Sequence, residues 1–317
     1  MALLIGTDEA GYGPNLGPLV IGASAWRVPD ELDATQLSAA LAHCITDEPH
    51  DRPTHVPLAD SKALYQPSRG LGVLEAATLA AWRCAGLTPE SWAEVWTCLA
   101  ANAADQQLAW HAAFDAPLPH VACPKLLAAW AACLASGLEA ADIQFTALRA
   151  CVVHPAEFNT RVNALGSKGA LLSEATLQLS ADIIRDSDEK AIFVTCDKHG
   201  GRDRYSAVLL HVFPEAELKI LQEGRAESRY RLRVDGRTLE YCFQAKGERF
   251  LPAALASMTA KYLRELAMAA FNAFWLQRIP GLKPTAGYPL DAARFRREIA
   301  ATAAPLGFAE HLWWRQR

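Results

Sequence analysis

The sequence predicts an α/β protein, a mixed β-sheet flanked by helices, with a helical insertion and a C-terminal helical segment. Three observations carry this expectation. Two apolar runs, Ala2–Thr7 and Leu19–Val28, are joined by a Gly/Pro/Asn loop and read as neighbouring antiparallel strands. A continuous apolar run, Ala191–Cys196 (AIFVTC), has the pattern of a buried central strand. Helical stretches separate these runs, and strands alternating with helices give a sheet covered by helices.

The remaining elements follow in order. LADSKAL, residues 58–64, is polar, and helical patterning runs from about Gly72 to Ala85. From about 86 to 140 the composition shifts to Ala, Trp and Leu at helical spacing, broken at PLPH and Pro124. This reads as a helical insertion, in which Trp92, Trp96, Trp110 and Trp130 form a cap, a dimer surface or plain core. Ala147–His154 is a strand and Ser167–Arg185 a long amphipathic helix. Arg229–Gln244 holds YRLRV, the turn pair Asp235-Gly236, and TLEYCFQ, a β-hairpin signal; it is placed as an insertion over about 216–246. Ala253–Gln277 is a long helix, and the last residues are mixed helical and basic.

Composition narrows the class. The chain has 317 residues, 51% of them hydrophobic, and a net charge of −4, so it folds and exerts no global pull on nucleic acid. The eight cysteines form no C-x-x-C pair and no zinc-spaced cluster, which predicts reduced core thiols and a cytoplasmic protein. MALLIGTDE is too short an apolar run, with the wrong flanks, for a signal peptide. No segment reaches the roughly 18 apolar residues of a membrane span.

Chemistry concentrates where strands end. Asp8 and Glu9 follow the first apolar run and Asp197 follows the central one, and strand ends are where ligands collect in α/β sheets. Ser257, Lys261 and Glu265 recur every four residues and share one helix face. Alone, the Lys–Glu spacing is that of an ordinary surface pair worth ~0.3–0.5 kcal/mol. Together, Asp8, Glu9, Asp197 and Glu265 would be four carboxylates at one sheet edge. Such a group repels itself unless hard divalent cations, Mg²⁺ or Mn²⁺, neutralise it. Two ions ~3.5–4 Å apart form the clamp used for in-line phosphodiester hydrolysis.

Several stretches resemble a known family. DEAGYGPNLGPLV is similar to the signature of the type 2 ribonucleases H, ribonucleases HII and HIII, whose usual form is D-E-A-G-R-G-x-x-x-G-P-V. LADSKAL resembles their D-S-K-K-L segment, and FVTCDKHG stands in the place of their strand ending in a catalytic Asp. RVNAL resembles a helix-initiating Asn segment, which makes Asn163 a helix cap. ALASMTAKYLRE resembles A-A-S-I-x-A-K-V-x-R-D, and AGYPLDAARF resembles G-Y-P-T-x-E-H. These segments occur in the family's order and cover roughly half of the chain. The helical insertion and the arginine hairpin are unmatched.

The resemblance implies a ribonuclease H-like fold, with a catalytic domain over 1–270 and a substrate-binding helical segment over 271–317. It implies a metal-dependent endoribonuclease that hydrolyses the RNA strand of RNA–DNA hybrids with two ions, Mg²⁺ or Mn²⁺. One ion would activate water and the other stabilise the leaving 3′-oxygen, giving 5′-phosphate and 3′-hydroxyl ends. The partner is a hybrid or a ribonucleotide-containing duplex, with no membrane. Asp8, Glu9 and Asp197 match the family's metal-binding carboxylates, and Glu265 stands where the fourth is Asp. Asp203 is the alternative fourth carboxylate.

Gly11-Tyr12-Gly13 replaces the family's G-R-G. The main-chain contacts to the ribose 2′-OH survive but the guanidinium does not. Tyr288 matches a tyrosine that stacks near the 2′-OH, or else is a core aromatic. Lys62 touches phosphate or is a solvated loop residue, and Lys261 and Ser257 orient the site. His199 is a proton shuttle or simply a loop histidine.

In Arg229-Tyr-Arg-Leu-Arg-Val, strand alternation puts Arg229, Arg231 and Arg233 on one side. Their gathering predicts either a grip on the backbone of a hybrid or an edge strand guarded against aggregation. Arg294, Arg296 and Arg297 offer a weaker basic patch. The functional alternatives are a nuclease of the same fold acting on DNA or junctions, and a non-catalytic nucleic-acid-binding paralogue.

Overall fold

A computed structural model describes residues 1–66, 68–100 and 108–316, so residues 101–107 of the predicted insertion lie outside the described residues. In chain order the elements are β1 (Ala2–Ala10), β2 (Leu19–Val28), α1 (Leu37–Ala40), β3 (Ile45–Thr46), β4 (Val56–Pro57), α2 (Ser61–Leu64), α3 (Gly72–Cys84), α4 (Trp92–Leu99), α5 (Ala109–Ala112), α6 (Pro124–Ala140), β5 (Gln144–Val153), α7 (Pro155–Leu165), α8 (Lys168–Arg185), β6 (Ala191–Asp197), α9 (Ser206–Val212), β7 (Glu217–Gln222), β8 (Glu227–Val234), β9 (Arg237–Gln244), α10 (Leu251–Leu276) and α11 (Pro289–Ala303).

Seven strands form one mixed sheet in the order β5-β2-β1-β6-β9-β8-β7. The β1/β6 and β6/β9 pairs are parallel, and the other neighbours are antiparallel. This is the predicted mixed sheet, with β6 in the middle. On one face, Leu3, Ile5, Ile192, Val194, Leu239, Tyr241 and Phe243 pack under α8 and α9. On the other face, α10 lies across β1 and β2, backed by α3 and α6.

Two glycines set how close α10 comes. A Cβ on Gly6 would lie 2.1 Å from Ala253 N, and one on Gly22 would lie 2.3 Å from the Ala256 carbonyl oxygen. Only glycine lets the helix backbone rest on the strand backbone there. That contact aims the Ser257–Glu265 face of α10 along the strand ends.

Several expectations change. β6 is not buried on both faces: Phe193 is 41% exposed, because α10 covers only the β1–β2 half of that side. The hairpin forms as read, with Asp235 and Gly236 at φ 52° and 71°, the primed turn that matches strand twist. It does not stand apart from the core, since β9 pairs with β6 and the hairpin extends the main sheet. Trp92, Trp96, Trp110 and Trp130 are all buried, so the described part of the helical insertion is core. Asn163 caps nothing: it sits in the last turn of α7, and Ser167 caps α8 by accepting from the Ala170 amide at 3.1 Å. Cys98 and Cys123 are exposed rather than core. No helix among the described residues is long and apolar enough to cross a membrane.

Candidate active site

The first strand runs past the apolar residues and carries Asp8 and Glu9 within it, opposite Gly22 and Ile21 of β2. Asp197 ends β6, the parallel neighbour of β1, so all three carboxylates reach the same edge of the sheet. Asp197 Oδ1 accepts from the Gly247 amide at 3.2 Å, in the short 3-10 turn leading into α10. Glu9 records the crowding. Burial, then the charges of Asp8 and Asp197, push its carboxyl up from 4.5 to about 8, against the opposing pull of Lys62.

Lys62 thus stands near enough for its charge to act on Glu9. It lies in α2, whose N-terminus is capped by Asp60 accepting from the Lys62 amide at 3.1 Å. The Ser61 and Ser257 hydroxyls meet at 3.0 Å and join α2 to α10. The Ser257–Lys261–Glu265 face thus packs on the segment that presents Lys62, which no spacing rule within either stretch reveals.

Glu265 behaves differently from the other three acids. It accepts from Lys261 Nζ at 2.6 Å, and that ammonium stands 4.5 Å over the Tyr65 ring. Tyr65 also hydrogen-bonds Glu265, and Arg264 Nη1 lies 3.8 Å from it. Asp203, the alternative, is committed to Lys198 at 2.9 Å. Lys198 Nζ also reaches the Gly224 carbonyl at 2.6 Å and Ser228 Oγ at 3.2 Å, which ties down the loop after Asp197. His199 is no proton shuttle: it is 2% exposed, its ring bonds Ser173 at 3.1 Å, and burial pushes it down to about 3.

The glycine-rich loop lies beside these carboxylates. Gly11 has φ +89°, and a Cβ there would lie 2.5 Å from Arg264 Nε, so the position requires glycine twice over. Tyr12 folds back onto the protein. Lys168 Nζ stands 4.6 Å over its ring, and its hydroxyl would lie 2.7 Å from a Cβ at Gly200. Burial and the nearby Glu9 charge raise its phenol above the ordinary value.

Tyr288 is not a core aromatic: it is 55% exposed at the start of α11. The adjacent Gly287 carbonyl accepts from the amides of Asn15 (2.8 Å) and Leu16 (3.3 Å), so the AGYP segment and the glycine loop form one structure.

Arg231 and Arg233 are not brought to this edge. β8 runs antiparallel to β9, so Arg233 pairs with Thr238 at the opposite end of the sheet from Gln244 and Asp197. Arg231 is held by Glu240 at 2.6 and 2.9 Å, and Glu240 also lies 3.5 Å from Arg229.

The donors at the strand ends are hard carboxylate oxygens, which fit a divalent ion by atom type and charge. Among the described residues, no three His, Cys, Asp or Glu side chains already stand at metal-ligand spacing.

No protein-family model matches the chain, and no curated protein matches its sequence. Solved structures do. The ribonuclease H2 of Pyrococcus horikoshii OT3 superposes with a TM-score of 0.50 at 13% identity, over 98% of this chain and 92% of that one. The fold is that of ribonuclease H2. Two further structures overlay less well. Ribonuclease HII of Archaeoglobus fulgidus, solved in complex with PCNA, gives 0.46 at 15% identity over 99% and 94% of the chains. Bst-RNase HIII, solved with Mn²⁺, gives 0.45 at 13% over 99% and 66%.

Proposed function

We propose that this protein is a metal-dependent endoribonuclease that hydrolyses the RNA strand of RNA–DNA hybrids or ribonucleotide-containing duplexes, leaving 5′-phosphate and 3′-hydroxyl ends. One observation carries the reading. At the end of β1, the half-buried Glu9 shares one sheet edge with Asp8 and Asp197, and burial first, then their two charges, push its carboxyl up to about 8. A protein gains nothing in stability from such crowding, and a divalent ion removes the repulsion.

Asp8, Glu9 and Asp197 would hold the ions, Mg²⁺ or Mn²⁺, with Glu265 as the fourth carboxylate at its outer side. Bound there, divalent ions supply charge to the phosphoryl oxygens and an acidified water. The chain does the rest. Lys62, near enough to act on Glu9, offers its ammonium to the scissile phosphate. Lys261 holds Glu265, and Tyr65 closes the other side of that pair. The Gly11–Gly13 backbone reads the ribose 2′-OH, and the exposed Tyr288 ring stacks on the neighbouring sugar or base.

The experiment is cleavage of three labelled duplexes, each with Mg²⁺ and with Mn²⁺: a full hybrid, DNA with one ribonucleotide, and all DNA. Cutting of the RNA strand in the hybrid, with no cutting of all-DNA, is expected. A second reading, the same fold acting on DNA or junctions, is favoured by one observation: Tyr12 is folded between Lys168 and Gly200, and no guanidinium is presented from this loop position. Cutting of the all-DNA duplex in preference to the hybrid would select it.

A further inference from the structure

Two arginines lie under the glycine-rich loop and are almost wholly buried, Arg264 at 2% and Arg315 at 1% exposed. Burial of a guanidinium is costly unless its donors find acceptors, and here they do so only in part. Arg264 Nη2 donates to the carbonyls of Leu16 (3.4 Å) and Ala286 (3.1 Å). Arg315 Nη2 donates to the Pro14 carbonyl, and its guanidinium stands 4.8 Å over the Phe158 ring. Arg264 Nε, Arg315 Nε and Arg315 Nη1 have no partner among the described residues. The two cations are also near enough to act on each other: burial, then Arg264, pushes Arg315 down to about 9.

Besides Ala286, their partners are successive carbonyls of one loop. Pro14 is bound by the Arg315 side chain, Asn15 by the Arg315 amide at 2.8 Å, and Leu16 by Arg264. The Asn15 side chain returns a bond to the Arg315 carbonyl at 3.0 Å, and Leu16 bridges Trp314. With the carbonyls turned inward, the Asn15 and Leu16 amides go to Gly287. The amides of Tyr12 and Gly13 donate to nothing among the described residues, and Gly13 is exposed with open space around it. Arg264 Nη1 also has the Glu265 carboxylate 3.8 Å away, whereas Arg315 is acted on by a second cation, and free amides in the loop these two side chains hold complement a phosphate or hydroxyl oxygen.

We propose that Arg264 and Arg315 are positioning residues for substrate. They hold the Pro14–Leu16 carbonyls from the buried side of the loop, which leaves the Tyr12 and Gly13 amides for a backbone oxygen of the RNA strand. The proposal rests on the nuclease reading and deepens it, since it names what aims the loop. A purely structural pair would affect folding alone.

The test uses the full chain with an RNA–DNA hybrid. Arg315→Gln keeps a donor for Pro14 without the charge, and Arg315→Lys keeps the charge. The Gln variant should raise KM for the hybrid by about tenfold, the loss of one charge-assisted contact, with kcat and Mn²⁺ affinity little changed. The Lys variant should recover most of that binding. An unchanged KM in folded Arg315→Gln, or a loss confined to kcat, overturns the proposal. Amide shifts of the unmodified protein, titrated with the hybrid in Ca²⁺, provide the same decision if the variant does not fold. Tyr12 and Gly13 should move most, and amides that stay still overturn the proposal. A protein whose Tyr12 and Gly13 amides respond to the hybrid, yet which never cuts it, refutes the nuclease reading and leaves this one standing.

Discussion

Replacing Glu9 by Gln should stabilise the metal-free protein at alkaline pH. In the folded chain the Glu9 carboxyl is raised from 4.5 to about 8, first by burial and then by Asp8 and Asp197. A group whose folded value lies above its unfolded one is bound by a proton more tightly in the folded state. Its contribution is fully present below about 4.5 and is lost as pH rises through about 8. Each unit is worth about 1.36 kcal/mol, so the wild-type chain loses up to about 5 kcal/mol across that window. Gln carries no charge and escapes the loss. At about 2.1 cal/mol/K per residue, a chain of this size converts 5 kcal/mol into roughly 7 °C of melting temperature. Thermal unfolding in EDTA at pH 5 and at pH 9 reads this directly. The two proteins should melt together at pH 5, and the variant several degrees higher at pH 9. Adding Mg²⁺ at pH 9 should raise the wild type and leave the variant nearly unmoved. A variant no more stable than wild type at pH 9 refutes the claim that these carboxylates crowd one another.

Three further outcomes follow from other contacts. Gly6→Ala places a Cβ 2.1 Å from the backbone of α10, so α10 must lift; a loss of about 2–4 kcal/mol in urea unfolding is expected, with reduced hybrid cleavage. Glu75, wholly buried, accepts from the amides of His120, Val121 and Ala122 at 2.6–2.7 Å and from the Tyr262 hydroxyl at 2.6 Å. Glu75→Ala orphans all four donors and should cost about 3–5 kcal/mol by the same measurement, whereas a surface Glu→Ala control should cost almost nothing. Tyr12→Arg puts a second cation beside Lys168, which now stands over the ring, so the new guanidinium should swing outward. Cleavage of DNA with a single ribonucleotide should then rise relative to the full hybrid, measured as a ratio of kcat/KM.

The elements that could be read from the chain alone are those whose signal is local. The apolar run before Asp8, the turn pair Asp235-Gly236, and the Ser257–Lys261–Glu265 spacing each fix their own conformation within a few residues. Strand direction is not local. Alternation placed Arg231 and Arg233 on one face correctly, but only the β8–β9 pairing shows that they recede from Asp197. The same holds for the hairpin, whose place in the main sheet depends on β6, some forty residues earlier. Asn163 misled because a cap residue type within a helix looks the same in sequence as one before it. The grip of Arg315 on Pro14 and Asn15 joins residues about three hundred positions apart, and no short pattern encodes it.

The central claim is that Asp8, Glu9 and Asp197 work together on divalent ions to cut RNA paired with DNA. Its most direct test is single-turnover cleavage of an end-labelled hybrid by wild type and by Asp197→Asn, with folding checked by circular dichroism. Wild type should cut only when Mg²⁺ or Mn²⁺ is present. Folded Asp197→Asn should be slower by about 10³-fold or more, the several kcal/mol that a lost metal ligand removes from the transition state. Cleavage by Asp197→Asn at the wild-type rate, or by wild type in EDTA, would contradict it.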